Sequence, residues 1–65
     1  MSDQAEAHSL QLSESELLSL YLLLTRHEAE LDQRQQDLLD RIAQEVYGLL
    51  SVEEIEHIDS YYNSL

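Results

Sequence analysis

Apolar residues recur along this chain with the spacing of amphipathic α-helices, most clearly in its second half. Between residues 38 and 50 they fall within an arc of roughly 140° on a helix of 3.6 residues per turn. They are Leu38, Leu39, Ile42, Ala43, Val46, Leu49 and Leu50. Since Asp37 and Asp40 point the other way, the pattern predicts a helix from about 33 to 48 with this face in the core.

A shorter apolar stripe follows. It comprises Ile55, Ile58, Tyr62 and Leu65. The charged and polar residues around it lie off this stripe: Glu53, Glu56 and His57. This predicts a third helix from about 52 to 63 on the same core.

The first apolar segment is too apolar for an ordinary surface helix. Its positions are Leu17, Leu18, Leu20, Tyr21, Leu22, Leu23 and Leu24, interrupted only by Ser19. Together they widen the stripe to about 200°, with Leu23 isolated beyond it. We therefore expect these seven residues to form a self-association surface, and we expect a homodimer. The alternative is that the other two helices of the same chain cover them.

Two capping boxes predict helix starts. Ser13 with Glu16, and Ser51 with Glu54, have the spacing in which the serine and the glutamate satisfy each other's backbone N–H groups. Three further pairs have the same spacing: Asp3 with Glu6, Thr25 with Glu28, and Asp32 with Gln35. Because a chain so rich in these residue types produces several matches by composition, we give weight only to the pairs at Ser13 and Ser51, which also coincide with an independent break in the pattern.

The polar segment from 25 to 37 decides how the helices are arranged. It contains few apolar residues, yet no Gly or Pro that would force a turn. We favour a bend near Thr25 or Asp32, because a single helix from 14 to about 48 would leave its leucines exposed unless it paired with another copy. The predicted fold is all-α: a small helical hairpin or three-helix bundle, completed by dimerisation.

Length and composition agree with this fold. The chain has 65 residues, one Gly, and no Pro or Cys, so it forms one small domain without disulfides. We expect a flexible polar tail at 1–12 and a helical domain at 13–65. Leu10 and Leu12 are candidates to fold back on the first helix as a hydrophobic staple.

The charge is the strongest compositional signal. Fourteen carboxylates against three arginines and no lysine give a formal net charge of -11. Such a surface repels nucleic acid and anionic lipid and attracts basic proteins, so we expect a basic protein partner and no direct nucleic-acid binding. The candidate docking residues are Glu53, Glu56, Asp59 and Tyr61. The alternatives are a merely solvated acidic surface, or acidic mimicry of nucleic acid at a nucleic-acid-binding protein.

The arginines are interspersed among acids. Arg26, Arg34 and Arg41 recur roughly along one helical edge, where pairing with nearby carboxylates is expected. Regular rows of acids, which mimicry of nucleic acid would favour, are absent from this segment.

Other chemistry has little support in the sequence. A single E-x-x-H spacing at Glu54 and His57 falls short of a di-iron set, and "HEAEL" lacks the second histidine of a zinc motif. We expect no metal, no cofactor and no enzymatic activity. The apolar run is too short for a membrane span, and no secretory signal is recognisable, so a cytoplasmic location is expected. The predicted function is that of a small acidic adaptor or regulator, with a purely structural self-association module as the alternative.

Overall fold

The computed structural model describes residues 10–65, and in this range the chain is all α-helical. Its helices are α1 (Glu14–Arg26), α2 (Gln33–Leu49), α3 (Val52–Glu56) and α4 (Ile58–Asn63), with a 3-10 turn at Glu28–Glu30. The all-α prediction is confirmed. Within the described residues, no helix has the length and apolar character needed to cross a bilayer. Most of the predicted tail, residues 1–9, lies outside the described range.

The chain bends between α1 and α2, within the polar segment from 25 to 37 where we favoured a bend. The α1 helix ends at Arg26, and the His27 N–H donates to the Leu24 carbonyl at 3.2 Å. A 3-10 turn follows, after which Asp32 begins α2. The Thr25 hydroxyl donates to the Leu22 carbonyl at 3.0 Å, so Thr25 closes α1 and does not cap a new helix. This bend allows α1 and α2 to pack against each other as a hairpin.

Three capping boxes define where the helices start. At Ser13 and Ser51 the hydroxyl oxygens accept the N–H groups of Glu16 and Glu54 at 3.1 Å, as predicted. Asp32 forms the third box, at the start of the helix predicted from about 33. Its Oδ1 accepts the Gln35 N–H at 2.8 Å, and Gln35 Oε1 accepts the Asp32 N–H at 2.9 Å. The similar spacing at Asp3 and Glu6 lies outside the described residues.

The core forms where α1 crosses α2. Its buried cluster is Leu18, Ile42, Val46 and Leu50, and Leu18 and Val46 are fully buried. Partly buried apolar side chains surround the cluster: Leu17, Leu20, Tyr21, Leu24, Ile55, Ile58, Tyr61 and Tyr62. The predicted core face of α2 was too wide, because Leu38 and Leu49, at its edges, are 43% and 49% exposed.

The predicted third helix is two short helices. His57, with φ -121° and ψ 40°, leaves the helical region and separates α3 from α4. Its carbonyl nevertheless accepts the Tyr61 N–H at 3.0 Å and so starts α4. Ile55 on α3 and Ile58 on α4 both pack against the core. Leu65, predicted to lie on the same stripe, is 55% exposed beyond the end of α4.

Candidate interaction surfaces

The structure separates the predicted self-association residues into two groups. Leu18 and Leu22 are buried within the chain itself, at 0% and 7% exposure. The half-buried members are Leu17, Leu20, Tyr21 and Leu24. Leu23 is 53% exposed and points away from the core. Because buried residues cannot contact a second chain without unfolding this one, the self-association hypothesis narrows to the outer face of α1 around Leu23.

A hollow of about 410 Å³ lies on this outer face. Its lining consists of Leu10, Leu12, Ser15, Glu16, Ser19, Leu20, Leu23 and Tyr62. Ser15, Glu16 and Ser19 are neighbours on one side of α1, and Leu12, which precedes the Ser13 cap, lines the same hollow from outside the helix. Leu23 follows Ser19 by one turn on the same side. We call these residues of α1, with Arg26 and with Leu12 just before the helix, the outer face of α1.

A second hollow lies on the other side of residues 10–12, in the groove between α1 and α2. It measures about 520 Å³ and is lined by Leu10, Leu12, Leu17, Leu20, Leu38, Arg41, Ile42 and Glu45. Leu12, next to the helix cap, and Leu17 line it together, which is the placement that a hydrophobic staple requires. Leu10 remains 80% exposed. Apolar side chains near the start of α1 are therefore only partly covered by the chain itself.

The predicted docking residues lie on α3 and α4. Glu53, Glu56 and Asp59 are exposed, and Tyr61 is half-buried. A shallow hollow of about 320 Å³ brings Glu53 and Tyr61 together, with Glu54, His57 and Ser60 completing its lining. The structure thus joins two of the four predicted docking residues in one hollow, whereas Glu56 and Asp59 lie outside its lining.

Tyr61 also has a role within the fold that the sequence pattern did not reveal. Its ring packs against the core, and its hydroxyl donates a hydrogen bond to Glu14 Oε2 at the start of α1. Hydrogen bonding to Glu14, partial burial and the Glu14 and Glu54 charges raise the pKa of the Tyr61 hydroxyl to about 12. Tyr61 therefore connects α4 to α1 across one edge of the acidic surface.

A second tyrosine contact joins α1 to α2. The rings of Tyr21 and Tyr47 meet edge to face, with their centroids 6.5 Å apart and their planes at 71°. Interaction with the Tyr47 hydroxyl, partial burial and the Tyr47 and Glu28 charges raise the pKa of Tyr21 to about 12. Tyr47 is 55% exposed, so this pair lies at the margin of the hairpin.

Residues 10–65 form few ion pairs with one another. Among residues 10–65 the only ion pair is between His27 Nδ1 and Glu30 Oε1, at 3.4 Å. The expected pairing of Arg26, Arg34 and Arg41 with carboxylates is therefore wrong for this part of the chain. Because Arg26 closes the last turn of α1 and is exposed, its guanidinium is available to a carboxylate outside the chain.

The described residues offer few of the arrangements used in catalysis. From residue 10 onward no polar or charged side chain is buried, and no three potential metal ligands are grouped together. Comparison of the chain with protein-family models, with curated proteins and with solved structures finds no match. Among the described residues, α1 carries the exposed Leu23, and α3 and α4 carry the exposed carboxylates Glu53, Glu56 and Asp59.

Proposed function

We propose that this protein is a non-enzymatic, acidic helical interaction protein that self-associates and binds a basic protein partner. One observation carries the self-association: Leu23 is 53% exposed and lines a hollow with several other apolar residues, although the core of the chain is already filled by other apolar side chains. An exposed leucine next to a hollow favours association, because burying its side chain in a second molecule releases water from both surfaces.

The charge supports the second half of the proposal. A net charge of -11 on 65 residues attracts and orients positively charged surfaces over distances of about 10 Å at 0.1 M salt. Glu53, Glu56 and Asp59 are exposed on α3 and α4, next to the hollow that contains Tyr61. Lysine or arginine side chains of a partner can meet these carboxylates, while an apolar side chain enters beside the Tyr61 ring.

The site chemistry favours binding over catalysis. General acid–base and nucleophilic catalysis depend on side chains whose environment excludes water. In residues 10–65 the polar side chains are exposed or partly exposed, and the hollows are open to solvent. A regulator or adaptor needs only complementary surfaces, which this fold presents.

Self-association is tested by measuring the solution mass over a wide concentration range by sedimentation equilibrium. The proposal predicts a mass approaching twice 7.6 kDa as concentration rises. Added salt should strengthen association, because two chains of charge -11 repel each other and salt screens that repulsion. A mass of 7.6 kDa at every concentration and salt level would rule out self-association.

Partner binding is tested by affinity capture from the lysate of the native host at increasing salt. The proposal predicts that a basic protein is retained and that salt releases it, in contrast to the effect of salt on self-association. The triple substitution Glu53→Gln, Glu56→Gln and Asp59→Asn should abolish this retention. Its control removes three exposed carboxylates elsewhere: Glu28→Gln, Asp40→Asn and Glu45→Gln.

Equal loss of capture in both triple variants would show that total charge, and not the α3–α4 surface, attracts the partner. Capture that resists high salt would contradict an acidic docking surface. In either case the self-association half of the proposal stands or falls on its own mass measurement.

A further inference from the structure

We propose that a second copy of this chain binds to the outer face of α1 in antiparallel orientation, with a two-fold axis passing beside Ser19. This inference rests on the proposed self-association and specifies its surface and geometry. The outer face carries an exposed knob, a hole of matching type and charges of opposite sign at its two ends. One antiparallel arrangement places the knob of each copy in the hole of the other, and it brings the opposite charges together.

The first argument is shape. Ser15, Glu16 and Ser19 of α1, with Leu12 from the segment before it, line one part of the hollow of about 410 Å³, which we call the hole. Leu23 protrudes from the same face at 53% exposure. At ~1.5 Å per residue, Leu23 lies ~6 Å from Ser19 towards the C-terminus, and the hole is centred a similar distance towards the N-terminus.

A two-fold axis at Ser19 therefore places each knob on the other copy's hole. A two-fold axis perpendicular to α1 reverses the direction of the helix and keeps the lateral position of each side chain. Leu23 of one copy then lies over the hole of the second copy, and the second copy's Leu23 fills the first hole. One exposed side chain and one hollow thus produce a closed, self-complementary dimer and no open filament.

The second argument is charge. The first turn of α1 carries Glu14 and Glu16, whereas its last turn carries Arg26. Antiparallel packing brings Arg26 of one copy within side-chain reach of Glu16 of the second copy, ~6 Å apart along the helix axis. Glu16 uses Oε1 to accept the Ser13 N–H at 2.9 Å, which leaves Oε2 for the arginine. Parallel packing would instead place like charges together at both ends.

The arrangement also covers the leucines that the chain leaves most exposed near α1. Leu12, at 38% exposure just before the start of α1, comes near the end of α1 of the second copy, where the aliphatic stem of Arg26 can pack on it. Leu10, at 80% exposure, and Tyr62 line the same hollow and border the docked helix. Apolar side chains on and near α1 that one chain leaves exposed are thereby buried between two copies.

The shape argument is tested with a pair of matched variants. Leu23→Glu places a charge in the knob, and Leu49→Glu makes the same change on α2 at a leucine of similar exposure, 49%. Sedimentation equilibrium should show that Leu23→Glu raises the dissociation constant of the dimer about a hundredfold, because two leucines are lost per dimer. Leu49→Glu should change the dissociation constant by less than about threefold. Circular dichroism confirms that both remain helical.

The charge argument is tested by complementation. Arg26→Glu alone, and Glu16→Lys alone, should each weaken the homodimer about tenfold, because each creates two like-charged pairs. Mixing the two variants should restore a heterodimer near wild-type affinity, since both pairs again have opposite sign. Arg34→Glu changes the net charge as Arg26→Glu does but lies on α2, so it serves as the control.

The outcomes separate this geometry from the broader proposal. A wild-type chain that stays monomeric overturns both. A wild-type dimer that responds equally to Leu23→Glu and Leu49→Glu, or a mixture of Arg26→Glu and Glu16→Lys that does not recover, overturns the antiparallel α1 geometry and leaves self-association intact. Selective weakening followed by recovery in the mixture supports both, and recovery cannot arise from misfolded variants.

Discussion

The hydroxyl of Tyr61 on α4 donates a hydrogen bond to the carboxylate of Glu14, the first residue of α1, although the two are 47 positions apart in sequence. The helices α3 and α4 have five and six residues, too few to be stable without tertiary contacts. Together with the packing of Ile55, Ile58 and Tyr62 on the core, this hydrogen bond fixes the C-terminal segment against α1. The hydrogen bond lies at the N-terminal end of α1, whereas the bend follows the C-terminal end.

Substitution of Tyr61 by Phe removes this hydrogen bond while keeping the ring in the core. We expect Tyr61→Phe to lower the free energy of unfolding measured by urea titration, and to increase amide hydrogen exchange in α4 before α2. Tyr62→Phe is the matched control, because it removes a neighbouring hydroxyl that makes no hydrogen bond within residues 10–65. Equal effects of the two substitutions would contradict a specific role for the Tyr61–Glu14 contact.

Alkaline pH should destabilise the fold by ionising Tyr61 and Tyr21. The pKa of Tyr61 and that of Tyr21 are raised from 10.0 to about 12, so the folded state favours the protonated hydroxyls. Their contribution to stability is complete below pH 10 and is lost as the pH rises through 12. Unfolding titrations across this range should show a smaller loss in Tyr61→Phe than in Tyr62→Phe. An identical loss in both would contradict the assignment to Tyr61.

The α2 helix should depend on its N-terminal cap. Asp32→Ala removes the acceptor for the Gln35 N–H, which is 2.8 Å from Asp32 Oδ1. We expect a loss of about 1 kcal/mol in the free energy of unfolding, whereas Asp32→Asn, which keeps the acceptor oxygen, should lose only a few tenths. Chemical denaturation followed by circular dichroism measures both. If the two variants were equally stable, the side-chain cap would have no part in starting α2.

Truncating a leucine should have different effects on the inner and outer faces of α1: it should lower the stability of the monomer on the inner face and weaken association on the outer face. Leu18→Ala opens a cavity at a fully buried position and should cost about 2–5 kcal/mol, enough to unfold much of so small a domain. Leu23→Ala, at 53% exposure, should leave the unfolding free energy of the dilute monomer nearly unchanged while weakening association. Thermal unfolding at low concentration, combined with sedimentation, distinguishes the effects. Similar destabilisation of the monomer by both would contradict the assignment of Leu23 to the outer face.

The helices themselves were predictable because apolar spacing is a local property. The period of 3.6 residues located α1 and α2, and the polar joint near Thr25 indicated the bend. The capping box at Asp32 could not be singled out by its spacing, because that spacing is common in a chain so rich in Asp, Glu and Gln. The break at His57 has no Gly or Pro to signal it. It occurs where two short helices each turn an isoleucine towards the core.

The candidate surfaces were predictable only in part. The width of the apolar stripe showed that α1 has more leucines than one neighbour can cover. It did not show that Leu18 and Leu22 lie inward and Leu23 outward, because this depends on where α2, α3 and α4 pack. Likewise, Tyr61 stood out as an aromatic residue among acids, but its bond to Glu14 depends on tertiary structure.

The central claim, that α1 pairs with α1 of a second copy beside Ser19, is tested most directly by cross-linking. The chain has no cysteine, so Ser19→Cys introduces a single thiol next to the proposed two-fold axis. Under mild oxidation in dilute solution it should form a disulfide-linked dimer at least about tenfold faster than Ser60→Cys, an exposed serine on α4, because pairing raises the local thiol concentration. Equal rates for the two variants would contradict the claim.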